Sequence, residues 1–196
     1  SIEQIAENVL AAAPAKFALA GLGMGATVAM EIQRRAPARV TRLALMGANA
    51  QSELPIIAAA RETQIVKARS GRLKDVVRDE IRPEYLAPSP RRSDVLDMIM
   101  EMALDHGVDM FVRQTRAMQR RPDQQKTLRM IRVPTLVLCG VHDELMPVRR
   151  HEFLATLIPS ARIEILSGAG HLPPLEEPEE TNRHLRDWLA QPYVLR

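Results

Sequence analysis

The stretch Phe17-Ala-Leu-Ala-Gly-Leu-Gly-Met-Gly-Ala-Thr-Val-Ala-Met-Glu31 decides the fold. It begins as a short apolar run from Phe17 to Leu22 and passes three glycines at alternate positions, Gly21, Gly23 and Gly25. It continues as Ala26, Val28, Ala29 and Ile32 with charged residues outward. This spacing predicts a buried strand, a sharp turn and a helix. Small residues on both sides of the turn let the helix fold back against its own strand. The apex residue is then held at the end of the sheet in a conformation that side chains normally avoid.

Two chemistries use such a turn. The nucleophile elbow, G-x-S-x-G, carries a serine at the apex. The dinucleotide fingerprint, G-x-G-x-x-G/A, is formally met by Gly21, Gly23 and Ala26, and it needs an acidic residue at the end of the next strand to bind a ribose. Here the next strand, Val40-Thr-Arg-Leu-Ala-Leu-Met46, runs into Gly47-Ala-Asn-Ala50 without a carboxylate, which argues against a dinucleotide-binding oxidoreductase. The intervening helix stops at Ala36-Pro37, because proline disfavours helical geometry in the residue before it. Strand, helix and strand in this order make a βαβ unit and hence a parallel sheet.

Outward from this unit, Ser1-Ile-Glu-Gln4 has the form of a capping box, and Ile2, Ile5, Ala6, Val9 and Leu10 recur at helical spacing. Downstream, residues 51–130 show helical patterns only: 54–66, 73–81, 93–104 with Ser93 as N-cap and an end near Gly107, and 108–118. Met98, Met102, Met110 and Met118 fall at core-like spacing, so they are expected to fill the interior; an adaptable apolar pocket is the alternative. The parallel pattern returns with a strand at 133–140, a loop holding Asp143, a helix at 148–157, a strand at 162–166 and a loop holding His171. The last helix starts at Pro178, with Leu185, Trp188 and Leu189 as its buried stripe.

Length and composition bound the function classes. A chain of 196 residues, 46% of them hydrophobic, has enough material for one domain with a sizeable core. The net charge is only +3, arginines alternate with acids across residues 61–132, and aromatics make up 3%, which leaves no stacking platform for nucleic acid. No apolar run approaches the roughly 20 residues that span a bilayer, and no charged-then-apolar leader precedes the first helix, so no membrane partner and a cytoplasmic location are expected. Cys139, the single cysteine, ends an apolar strand and is expected to be a buried, inert thiol. No cofactor or metal is implied.

In parallel sheets reactive groups lie beyond the carboxyl ends of the strands, and here three such loops carry Gly23, Asp143 and His171 at their apexes. An aspartate that accepts a bond from one ring nitrogen of a histidine leaves the other nitrogen free to remove a proton. The segments 17–25, Val133-Pro-Thr-Leu-Val-Leu-Cys-Gly-Val-His-Asp-Glu-Leu-Met-Pro147 and Gly168-Ala-Gly-His-Leu-Pro-Pro-Leu-Glu-Glu-Pro178 resemble the α/β-hydrolase fold superfamily. The likeness is greatest to small bacterial carboxylesterase and enol-lactone hydrolase-like members, and it extends over the whole chain, with 111–118 and Arg121-Pro-Asp123 resembling their cap.

The resemblance implies a three-layer α/β fold: a parallel sheet with helices on both faces, core at 1–51 and 129–196, and a helical cap at 52–128. It implies Asp143 as triad acid, His171 as triad base and Met24 as a backbone oxyanion donor. His142 and His151 are expected in surface or loop roles. Two departures stand out. Gly23 occupies the nucleophile position, and Thr27, one turn into the helix, is poorly placed to replace a serine. The family's first strands, with the loop that supplies a second oxyanion donor, have no counterpart before Ser1; the expectation is a fragment with one sheet edge and the apolar face of the first helix uncovered. The expected parent activity is hydrolysis of a small ester, lactone or thioester, impaired in this chain. A non-catalytic ligand-binding protein on the same fold is the alternative, and an uncovered edge leaves homo-oligomers open.

Overall fold

Ser1 caps helix α1 (Ile2–Ala12), its Oγ accepting the Gln4 N–H at 3.3 Å in the computed structural model, which describes residues 1–192. Only half of a capping box forms: the Gln4 side chain accepts no bond from the Ser1 backbone, and its amide instead donates forward to Glu7 and Asn8. Strand β1 (Phe17–Leu22) and helix α2 (Met24–Arg35) are joined by Gly23 alone. Strand β2 (Val40–Met46) then pairs with β1 in parallel.

Two further strands, β3 (Thr135–Gly140) and β4 (Ala161–Leu166), complete a parallel sheet in the order β1-β2-β3-β4. Helices α6 (Gln125–Arg129) and α7 (Val148–Leu157) flank β3 in the chain, and α8 (Pro173–Glu176) and α9 (Pro178–Ala190) follow β4. Alternation along β2 assigns the layers. Leu43 and Leu45 pack with Ala26, Ala29 and Met30 of α2, Leu128 of α6 and Leu154 of α7. Ala44 and Met46 point the other way, toward Trp188 of α9. Helices thus cover both faces of the sheet, giving three layers. No helix among the described residues is long and apolar enough to cross a membrane.

Between β2 and α6 lie α3 (Pro55–Lys67), α4 (Leu73–Glu80) and α5 (Arg92–Gln119). A kink at Ser70 and Gly71, the latter at φ 85° and ψ 8°, joins the first two. The two helices predicted at 93–104 and 108–118 are the two halves of α5, divided at Gly107, whose φ of 74° and ψ of 179° leave the helical region. The chain enters α5 at Arg91 without a side-chain cap, so Ser93 lies in the first turn and is not the N-cap. An ion network braces this block: buried Glu53 pairs with buried Arg121 at 2.6 Å and also with the partly exposed Arg61, which reaches Glu80 at 3.4 Å.

Three expectations about burial fail, each at a surface that periodicity alone cannot orient. Met98, Met102 and Met110 are exposed on α5 rather than interior; Met118 alone of the four packs against the core. Leu189 is exposed while Trp188 carries the buried face of α9. The apolar face of α1 is not left open: Ile2 and Ala6 are fully buried against Val28 and Ile32 of α2 and Ala117 of α5.

Candidate active site

Gly23 turns the chain from β1 into α2 at φ 57° and ψ −116°, a region in which an L side chain is strained. Its N–H donates to the Met46 carbonyl at 2.9 Å, which ties the turn to the end of β2. A Cβ built on Gly21 would lie 2.4 Å from the Gly25 carbonyl oxygen, so only glycine at 21 lets α2 return so closely over β1. At Gly23 the same construction meets nothing within 4 Å, so the apex is strained in backbone but open in space. Met24 opens α2, and its N–H therefore has no acceptor within the helix. Thr27 is buried, with Oγ1 3.5 Å from the Gly23 carbonyl oxygen and directed back at the backbone.

The loops after β3 and β4 cross in direct backbone contact. The Val141 N–H donates to the Leu166 carbonyl at 2.9 Å and the His142 N–H to the Ala169 carbonyl at 3.0 Å. Gly140 permits the crossing, since a Cβ there would sit 2.1 Å from the Ala169 oxygen. This contact carries Asp143 to His171. Asp143 is 3% exposed; its Oδ1 accepts the Met146 N–H at 2.7 Å and its Oδ2 lies 3.0 Å from His171 Nδ1. A carboxylate only accepts, so Nδ1 holds the proton and Nε2 is left as the basic nitrogen.

The imidazole also reaches the rim defined by Gly23. Gly47, the residue after the Met46 acceptor of the Gly23 N–H, presents its Cα to the His171 ring; a Cβ there would lie 3.1 Å from Cε1. Gly23 and Met24 after β1, Asp143 after β3 and His171 after β4 therefore lie along the carboxyl-end rim of one sheet, with Gly47 after β2 between them.

The sequence reading misplaces His151, leaves out Glu176 and places Cys139 correctly as a buried thiol. His151 is fully buried in α7, not at the surface or in a loop, and its Nε2 accepts the Ala48 N–H at 3.2 Å. Burial pulls its pKa below the ordinary value of 6.5, against the opposing pull of Asp143. A helical residue whose partner lies 103 positions away leaves no local signal. Glu176 is buried just beyond His171, where the spacing of a carboxylate five residues after the histidine is the available cue. Cys139 is buried beneath the acid loop, its thiol pushed up to about 12 by burial first and then by Asp143 and Glu152. Among the described residues no group of three or more acidic, histidine or cysteine side chains is arranged to hold a metal.

A sequence profile of the Alpha/beta hydrolase family matches residues 2–184. The chain is 26% identical over 199 aligned positions to a pimeloyl-(acyl-carrier protein) methyl ester esterase of Aromatoleum aromaticum, covering 92% of this chain and 76% of that protein. A thermophilic esterase from Thermogutta terrifontis superposes with a TM-score of 0.90 at 28% identity, over 99% of this chain and 74% of its own. The enol-lactonase from Burkholderia xenovorans gives 0.85 at 25% identity, over 97% and 74%. With most of its length matched by the profile and its sheet, layers and strand-end loops arranged as described, the chain belongs to the alpha/beta hydrolase family.

Proposed function

We propose that this site belongs to a hydrolase of small carboxylic esters, lactones or thioesters, in which Gly23 stands at the nucleophile position and leaves the chain impaired. The supporting observation is the 3.0 Å contact between Asp143 Oδ2 and His171 Nδ1, both side chains buried, at the rim that Gly23 shares. In this proposal Asp143 fixes the imidazole tautomer, His171 Nε2 takes a proton from the attacking group, and the Met24 N–H donates to the oxygen of the tetrahedral intermediate. With no hydroxyl at position 23, water is the remaining attacker. His171 removes its proton as the oxygen bonds the carbonyl carbon, then returns that proton to the departing alcohol or thiol. We further propose that residues 52–128 form the cap over this site and that the chain works on a small molecule in the cytoplasm.

A second reading is a ligand-binding protein on the same fold. It is favoured by the missing hydroxyl together with an open groove of about 320 Å³ between the helical block and the acid loop, in which Ile57, Tyr85 and Leu145 stand beside the charged Arg61, Asp79 and Glu80.

Gly23→Ser tests the first reading. The strained φ makes the serine cost about 1–3 kcal/mol of stability, while the open space around it accepts the side chain. Hydrolysis of short p-nitrophenyl esters should rise by about 10³-fold or more and be lost again on His171→Ala. A folded Gly23→Ser chain with no gain sinks the hydrolase proposal and favours binding.

A further inference from the structure

The loop that carries His171 is gripped by a carboxylate that the proposed hydrolysis does not use. Glu176 is 3% exposed, and its two oxygens accept three backbone N–H groups. Oε2 takes Gly170 at 2.8 Å and Ala87 at 2.6 Å, and Oε1 takes Leu172 at 2.8 Å. Gly170 and Leu172 flank the histidine. The N–H between them, that of His171, donates to the Tyr85 carbonyl at 2.7 Å. An anionic acceptor makes such bonds stronger than a neutral one would, and three donors on one carboxylate leave the loop little freedom.

The same atoms tie the loop to the helical block. Tyr85 and Ala87 belong to the segment between α4 and α5, and Gly170 lets that segment pass in contact, because a Cβ there would lie 2.3 Å from the Tyr85 oxygen and 2.7 Å from Leu86 Cα. Arg92, in the first turn of α5, holds the segment from its far side: Nε donates to the Ala87 carbonyl and Nη2 to the Leu86 carbonyl, each at 2.9 Å. A continuous series of hydrogen bonds thus runs from α5 through Arg92, residues 85–87 and Glu176 to the backbone on either side of His171.

We infer that Glu176 is a positioning residue: it fixes the backbone at 170–172 so that the imidazole meets Asp143, and it couples that alignment to the seating of the helical block. The inference rests on the proposed roles of Asp143 and His171. A ligand or substitution that lifts residues 85–87 then loosens the histidine without touching it, since a rotation of the loop swings the ring away from Oδ2.

Low-field proton NMR of the full chain reads the Nδ1 proton that His171 shares with Asp143. The parent shows the resonance; Glu176→Gln, which turns an amide NH₂ toward backbone donors, broadens or removes it while the fold persists. In the Gly23→Ser chain, Glu176→Gln lowers kcat about 10²-fold with KM within about twofold. Arg92→Gln, outside the histidine loop, moves both readouts in the same direction by about 10-fold in kcat, and it carries the test if Glu176→Gln does not fold. A resonance unchanged in the folded variants, with kcat falling only as the folded fraction falls, overturns the inference. Absence of the resonance from the parent overturns the Asp143–His171 pairing itself. Failure of Gly23→Ser to gain activity strikes the hydrolase proposal alone and leaves the resonance test intact.

Discussion

The Cα of Gly47 lies against the imidazole of His171, so closely that a single added methyl would stand 3.1 Å from Cε1 and 3.5 Å from Nδ1. Gly47 also has φ 55°, a conformation an L side chain resists. Gly47→Ala should therefore push the ring off Asp143. In the Gly23→Ser chain the expected loss is about 10²-fold in kcat with a modest fall in melting temperature. An ester assay alongside a thermal melt checks it, and retention of full activity would show that the ring tolerates the intrusion.

Two glycines two residues from Gly23 should respond in opposite ways. Gly21→Ala sets a methyl 2.4 Å from the Gly25 oxygen and 2.6 Å from the Ala26 nitrogen, both backbone atoms that cannot swing aside. A loss of about 1–3 kcal/mol or more is expected from forcing α2 away from β1. Gly25→Ala meets nothing within 4 Å inside a helix, so it should gain about 0.5–1 kcal/mol. Urea denaturation of the two variants decides the matter; equal effects would contradict the close approach of helix and strand.

Acid should weaken the fold through Glu31. Burial pushes this carboxyl up, but hydrogen bonds from Arg34, Arg35 and Gln124 outweigh it and hold it at about 2, against an ordinary 4.5. A carboxyl held below its unfolded value stabilises fully above about pH 4.5, and that contribution is lost as the pH falls toward 2. Because Arg34 is half-exposed and screened, the expected loss is on the order of 2 kcal/mol rather than the full linkage value. Denaturation midpoints measured across this range should fall steeply in the parent and be flatter in Glu31→Gln.

His151 sets a separate, higher window. Its pKa is depressed by burial, so the neutral ring stabilises the fold above its unfolded value of 6.5, and protonation of the unfolded chain erodes that advantage as the pH drops below it. His151→Gln keeps an acceptor for the Ala48 N–H and removes the titration. Its melting temperature should vary less than the parent's between about pH 7 and 5. An unchanged profile would assign the slope to another group.

Legibility in the sequence follows the range of the interactions. Strand β2 is readable to the residue because Val40 and the apolar Leu43 to Met46 are set between a helix-stopping proline and a glycine. Gly23, Asp143 and His171 are readable as loop apexes, since glycine-rich punctuation marks where a strand must stop. Side-chain orientation on α5 is not: the spacing of Met98, Met102 and Met110 defines a stripe, and only tertiary packing decides whether the stripe faces inward. Ser93 has the chemistry of a cap, yet Arg92 bonds the Leu86 and Ala87 carbonyls and starts the helix earlier. Glu176 leaves a cue in its spacing from His171, but its bond to the residue 87 N–H, like that of His151 to the residue 48 N–H, is announced by no pattern of neighbouring side chains.

The apex of the β1–α2 turn ends in a hydrogen atom, and that has a practical consequence. Fluorophosphonates and sulfonyl fluorides tag hydrolases by bonding to an activated alcohol, and at residue 23 there is none to bond. With residue 23 as the proposed nucleophile position, proteome-wide surveys that enrich hydrolases with such warheads pass over this chain however well folded it is. Under the proposed function, non-covalent capture on an immobilised ester or lactone mimic is the way to fish it out.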